Sequence, residues 1–168
     1  MTGAAERLLS GMARVEGIVA ALSYALVAGL LLADVIAREV LAAPLLGAGQ
    51  IAVLAAIVAG FLGLSLATAA DRHLRTEALS RLLPARWDPV IGRLSDGVSA
   101  LVYLVLAGFA ILFVVRTQEA GDRAAVLLFP LWPVQLVLPY AFLSCGLRHA
   151  LRALLPGGAA GGRAGPAI

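Results

Sequence analysis

The sequence predicts an all-α, polytopic membrane protein with four transmembrane helices and a short interfacial amphipathic helix between the second and third. Three observations lead there. The 168 residues are 61% hydrophobic and 14% charged, too apolar for a water-soluble domain of that length. The apolar residues fall into long blocks, and a block of about 20 such residues is what a helix needs to cross roughly 30 Å of hydrocarbon. The charges sit mainly between the blocks, and every formal cation is an arginine, for a net charge of +3. The reading is a membrane domain over residues 1–155, with spans at about 17–36, 50–70, 96–116 and 131–151. A disordered Gly/Ala/Pro tail follows over residues 156–168.

The first block, Gly17 to Ala33, follows a weakly amphipathic segment carrying Arg7 and Arg14. Its length exceeds a signal-peptide core, and no A-x-A cleavage pattern precedes a mature domain, so it reads as an uncleaved span. Asp34 and Arg38 lie four apart at its far end, where they can pair on one helix face. An intramembrane carboxylate can serve an ion path; the position of Asp34 at the end of the block favours an interfacial pair that terminates the span.

Pro44-Leu-Leu-Gly-Ala-Gly-Gln50 is a turn-rich approach to the second block, Ile51 to Ala70, which holds no charge. Ala52, Ala56, Ala59, Gly60, Gly63 and Ala67 recur there at intervals of three and four. Such small residues let another helix approach closely inside lipid, so they are read as a packing or partner face, with Leu62 pointing away from it. The polar connection over residues 71–96 contains Leu79, Leu82 and Leu83 between Thr76 and Pro84. This predicts the interfacial helix, with Trp87 as an anchor. Asp88-Pro89 then marks the start of the third helix, a capping side chain before proline at the first helical position.

A short polar link from Arg116 to Arg123 leads to Phe129-Pro130-Leu-Trp132-Pro133, expected to be extended before the last span. Pro139 should kink that span or mark its start. With four crossings, Arg7, Arg14, Arg72, Arg75, Arg81, Arg86, Arg93, Arg148, Arg152 and Arg163 share one side, and Arg38, Arg116 and Arg123 the other. Arginine enrichment marks the cytoplasmic side, so both termini are placed inside.

Reactive sites are tested by absence. Cys145 is the single cysteine, which removes disulfide and dithiol chemistry. His73 and His149 stand at span ends, where they cannot sandwich a haem. Ser65 and Thr68 show no acid or histidine beside them in depth, so they read as backbone-bonded hydroxyls. No phosphate-cradling loop precedes a Lys-Ser/Thr pair, no metal or cofactor set is visible, and no basic stripe with interleaved aromatics points to nucleic acid. None of the apolar cores shows a charge at mid-depth, which a self-sufficient ion-coupled transporter would be expected to carry.

Asp34-Val-Ile-Ala-Arg38, Pro44-Leu-Leu-Gly47-Ala, Phe61-Leu-Gly63, Arg72-His73-Leu-Arg75 and Leu83-Pro84, followed by Phe129-Pro130-Leu-Trp132 and Leu138-Pro139, occur in the order seen in one transporter family. Over about residues 14–152 the chain resembles the small permease subunit of TRAP transporters, the DctQ-like proteins. Gln50 departs from that pattern, where an acidic residue often stands before the second span. The resemblance implies a non-catalytic inner-membrane subunit without cofactor. Its partners would be a large permease subunit that moves the solute with an ion gradient, a periplasmic solute-binding protein that delivers an organic acid, and membrane lipid. The alternative is a small stand-alone homo-oligomeric transporter in which Asp34 is functional.

Overall fold

The computed structural model describes residues 3–70 and 88–154, and all of their regular secondary structure is helical. Helix α1 covers Gly3–Leu41, α2 Ala48–Ala70, α3 Asp88–Ala120, α4 Trp132–Gln135 and α5 Val137–Leu154. Three of these, α1, α2 and α3, are long and apolar enough to cross a membrane. The 18 residues of α5 include Arg148 and Arg152 and do not qualify by that measure. The interfacial helix expected before Trp87 and the C-terminal tail lie outside the described residues.

Helix α1 runs without interruption through both the basic N-terminal segment and the apolar block, 39 residues in all. At 1.5 Å per residue that is about 58 Å, far more than the hydrocarbon requires. It stops where Ala42 turns left-handed at φ 51° and Pro44 follows. Helix α3 continues about one turn beyond the expected Arg116. Gly121 then adopts φ 69°, with its N–H on the Gln118 carbonyl and the Asp122 N–H on the Thr117 carbonyl. That is a Schellman stop, and glycine fits it because the left-handed conformation costs it nothing sterically.

The segment before the last helix is more compact than the extended chain expected there. Phe129 accepts the Ala124 N–H at 2.9 Å, Arg123 and Pro130 form an isolated bridge, and Trp132 already opens the short helix α4. Pro139 stands in the first turn of α5. Without an N–H it cannot bond the Gln135 carbonyl, and the chain turns at Leu136.

Two antiparallel hairpins make the bundle. In one, α1 packs on α2; in the other, α3 packs on α5. The hairpins join through α2 and α5, which run parallel: Phe61 meets Phe142 edge-on at 5.7 Å, and Thr68, farther along, meets Cys145. Small residues form the seams. Ala52, Ala55 and Ala59 are buried on α2, and Ala141, Ser144, Cys145 and Gly146 on α5. A methyl added at Gly146 would stand 3.2 Å from Leu104 of α3, so that crossing is close. Large side chains such as Leu22, Leu32, Leu101 and Phe109 point outward, the inverse of a soluble protein and the arrangement lipid requires.

Candidate functional site

The polar groups of the bundle gather at its two ends. At the end where α2 and α5 finish, Glu16 of α1 and Arg148 of α5 form an ion pair of 2.7 Å, with side chains 1% and 4% exposed. By sequence both residues fall outside the apolar cores; in the fold they face each other inside the bundle. The Glu16 carboxylate is fully bonded. Oε1 accepts the Tyr140 hydroxyl at 3.1 Å and the Ser144 hydroxyl at 2.9 Å. Oε2 accepts the Ser65 hydroxyl at 3.0 Å and Arg148 Nη2 at 2.7 Å. Four donors on two oxygens occupy the carboxylate's acceptor positions and fix its orientation.

Ser65 therefore does have an acid beside it, contrary to the expectation of a backbone-bonded hydroxyl. Thr68 fits that expectation, with its hydroxyl 3.0 Å from the Leu64 carbonyl. The arginines of α5 also hold the end of α2. Arg148 Nη1 donates to the Ser65 carbonyl at 2.7 Å, and Arg152 Nη2 to the Thr68 carbonyl at 2.9 Å. Cations on the carbonyls near a helix C-terminus are favourably placed against its dipole. One helical position along, His149 Nδ1 lies 2.8 Å from Asp96 of α3, and its ring stacks on Tyr103 at 5.6 Å. Through Glu16, Arg148, His149 and Asp96, all four long helices are tied at this level.

The opposite end is built from loops. Asp34 accepts a hydrogen bond from Arg38 and another, at 2.9 Å, from the Leu45 N–H, so it ties the end of α1 to the loop at residues 42–47. The carboxylate thus has two donors from its own chain, with Arg38 60% exposed beside it. Gln50 Oε1 accepts the Val126 and Leu127 N–H groups, each at 3.2 Å, and so clasps the second hairpin's loop to the first. A neutral amide oxygen does here what an acceptor at that position can do. Gly47 has φ +83°, and a methyl there would lie 2.7 Å from Leu127 Cδ2. The backbone conformation favours glycine, and any side chain there would have to displace Leu127. Pro44 is exposed in the same loop, and Pro139 is buried in α5.

Of the small residues on α2, Ala52 and Ala59 are buried within the bundle, while Ala56, Gly60 and Ala67 are exposed and Gly63 is half-buried. A methyl at Gly60 or Gly63 would meet nothing within 4 Å. Leu62, expected to point away from the packed face, is buried. Arg72, His73 and Pro84 lie outside the described residues. Among the described residues no group of three His, Cys, Asp or Glu side chains could hold a metal ion.

The family described as tripartite ATP-independent periplasmic transporters, DctQ component, matches residues 27–156. The chain is also similar to the ectoine TRAP transporter small permease protein TeaB of Halomonas elongata, at 26% identity over 143 residues. That covers 85% of this chain and 74% of the relative. No solved structure matches.

Proposed function

The chain belongs to the DctQ component family of tripartite ATP-independent periplasmic transporters, and from that premise we propose that it braces the large permease subunit in the membrane. It is the small permease subunit of a TRAP transporter, a transport component and not an enzyme. The bracing role rests above all on the Glu16–Arg148 network. A carboxylate bonded four times over, joined to α1, α2 and α5, behaves as a fixed tie, not as a site that binds and releases cargo.

In this reading the α4–α5 segment completes a fourth crossing of the inner membrane, with both termini cytoplasmic and the Asp34 end periplasmic. The large subunit moves the solute along an ion gradient, and a periplasmic solute-binding protein delivers it. The solute proposed is a small organic acid; the name of the Halomonas relative makes ectoine a second solute to test. The small residues on the open side of α2, the exposed Ala56, Gly60 and Ala67 with the half-buried Gly63, are the face offered to a helix of the large subunit.

Purifying the tagged chain from its native membranes in mild detergent tests the reading. A much larger multi-spanning permease should come with it. Recovery of a symmetric complex of this chain alone would support the stand-alone transporter instead. Orientation is checked by reporter fusions. Those after Arg86 and Arg152 should read cytoplasmic and one near Glu119 periplasmic; a strongly active alkaline phosphatase fusion at Arg86 would overturn the assignment.

A further inference from the structure

The loop end of the bundle presents leucine where a water-facing turn would present polar groups. Leu46 is 85% exposed and Leu128 64%. Leu41, Leu45, Val126 and Leu127 add to the same surface. Leu128 is the more telling because its backbone is left-handed, with φ 56°. Glycine would adopt that conformation freely, whereas a residue with a side chain adopts it at a cost. A leucine kept there with its side chain pointing out of the chain has no internal packing to justify it, so the reason lies in what surrounds the loop.

Three observations identify the surroundings as lipid. First, the patch continues the outward-facing row Val35, Ile36 and Val40 of α1. Second, helix α2 is uncharged over all 23 residues, about 34 Å at 1.5 Å per residue, against roughly 30 Å of hydrocarbon. The loop joined to its Ala48 end therefore sits at the hydrocarbon boundary. Third, several backbone donors of the loops are taken up inside the protein. The Leu45 N–H goes to Asp34, the Val126 and Leu127 N–H groups to Gln50, Leu128 to Ala124, and Leu131 to Asp122. Pro44, Pro130 and Pro133 have none to satisfy. Backbone that enters an apolar medium must pair its polar groups internally. The exposed Arg38 beside this patch can meet lipid phosphates. By contrast the end of α3 is polar, with Arg116 and Glu119 side chains 74% and 63% exposed, and Asp122 and Arg123 just beyond it are exposed as well.

We propose that the loops at residues 42–47 and 124–131 form a lipid-seated rim, with the Leu46 and Leu128 side chains in contact with acyl chains. Asp34 and Gln50 are then the groups that let backbone rest there, because each removes bare N–H groups from the apolar phase.

Cysteine accessibility tests the rim. In a full-length Cys145→Ser background, Leu46→Cys, Leu128→Cys and Glu119→Cys are each reconstituted in phospholipid nanodiscs, alone and with the large subunit. Each is then treated with a membrane-impermeant maleimide. A thiol reacts as its thiolate, which does not form among acyl chains, so positions 46 and 128 should react about tenfold or more slowly than position 119 in both preparations. A fluorophore at 46 or 128 should be quenched by a lipid spin-labelled high on its acyl chain. Val126→Cys replaces Leu128→Cys if that variant does not fold. Equal rates at the three positions in the chain alone would make the rim aqueous and overturn the proposal. Protection that appears only with the large subunit, or protection without lipid quenching, would assign the rim to a protein partner and overturn it as well.

Discussion

Glu16→Ala removes the acceptor of four hydrogen bonds and leaves the Arg148 guanidinium buried beside neutral hydroxyls. Breaking a buried pair from one side costs about 3–5 kcal/mol, because the remaining charge stays out of water without a partner. Each 1.4 kcal/mol is about a factor of ten, so the bundle's folding equilibrium constant should fall by roughly two to three and a half orders of magnitude. Arg148→Met alone should be similarly damaging, since it strands the carboxylate and also releases the Ser65 carbonyl. Replacing both, as Glu16→Met with Arg148→Met, removes the charges together and should recover much of the loss, as apolar replacement of whole buried pairs does elsewhere. Ser65 and Ser144 lie 3.1 Å apart and can then bond each other. The assay is thermal unfolding of the purified chain in detergent, followed by size exclusion, as a double-mutant cycle. A coupling of about 2 kcal/mol or more is expected. Two single losses that simply add, or a Glu16→Ala protein that melts like the parent, would refute the claim that this pair ties the helices.

Three further outcomes follow from the same geometry. Gly47→Ala should destabilise the chain by about 1–3 kcal/mol, from its left-handed φ and the contact with Leu127, and Leu127→Ala should relieve only the second part; thermal melts of the single and double variants separate the two. Asp34→Asn keeps an oxygen for the Leu45 N–H and loses only the pairing with a largely exposed Arg38, so uptake by the assembled transporter should be substantially retained; complete loss of uptake with normal assembly would make Asp34 an ion site. Gly63→Leu should leave the isolated chain's melting unchanged, since a Cβ there meets nothing within 4 Å, but should reduce co-purification with the large subunit. Leu62→Phe instead overpacks a buried position and should lower the melting temperature, at a cost of about 1–3 kcal/mol of stability.

The helices were legible because apolar blocks of spanning length are a one-dimensional signal. So were their breaks at Pro44 and Pro139, since proline acts within four residues of itself. The Asp34–Arg38 pair belongs to the same class, as a contact between positions i and i+4. The Glu16–Arg148 pair does not. Its members are 132 positions apart, and each taken alone looks like an interfacial charge flanking a span. A faint trace existed: α5 is the amphipathic helix of the set, and Arg148 lies with Ser144 and Cys145 on its buried side, where the opposite was to be expected.

Helix α2 was opaque for a different reason. It is apolar on every side, so periodicity cannot say which way it faces. Its alanines and glycines occupy two sides, and spacing of three and four fits both. The buried side, at Ala52, Ala55 and Ala59, draws α1 and α5 in close enough for Glu16 and Arg148 to reach Ser65. Bulky residues along that seam would hold the backbones apart and leave the charges unpaired, so the small residues and the ion pair depend on each other. The other side, at Ala56, Gly60, Ala67 and the half-buried Gly63, has no such task within the chain. Small residues on a helix are thus a signal of close approach in general, and only the fold separates the approach already made from the one still open.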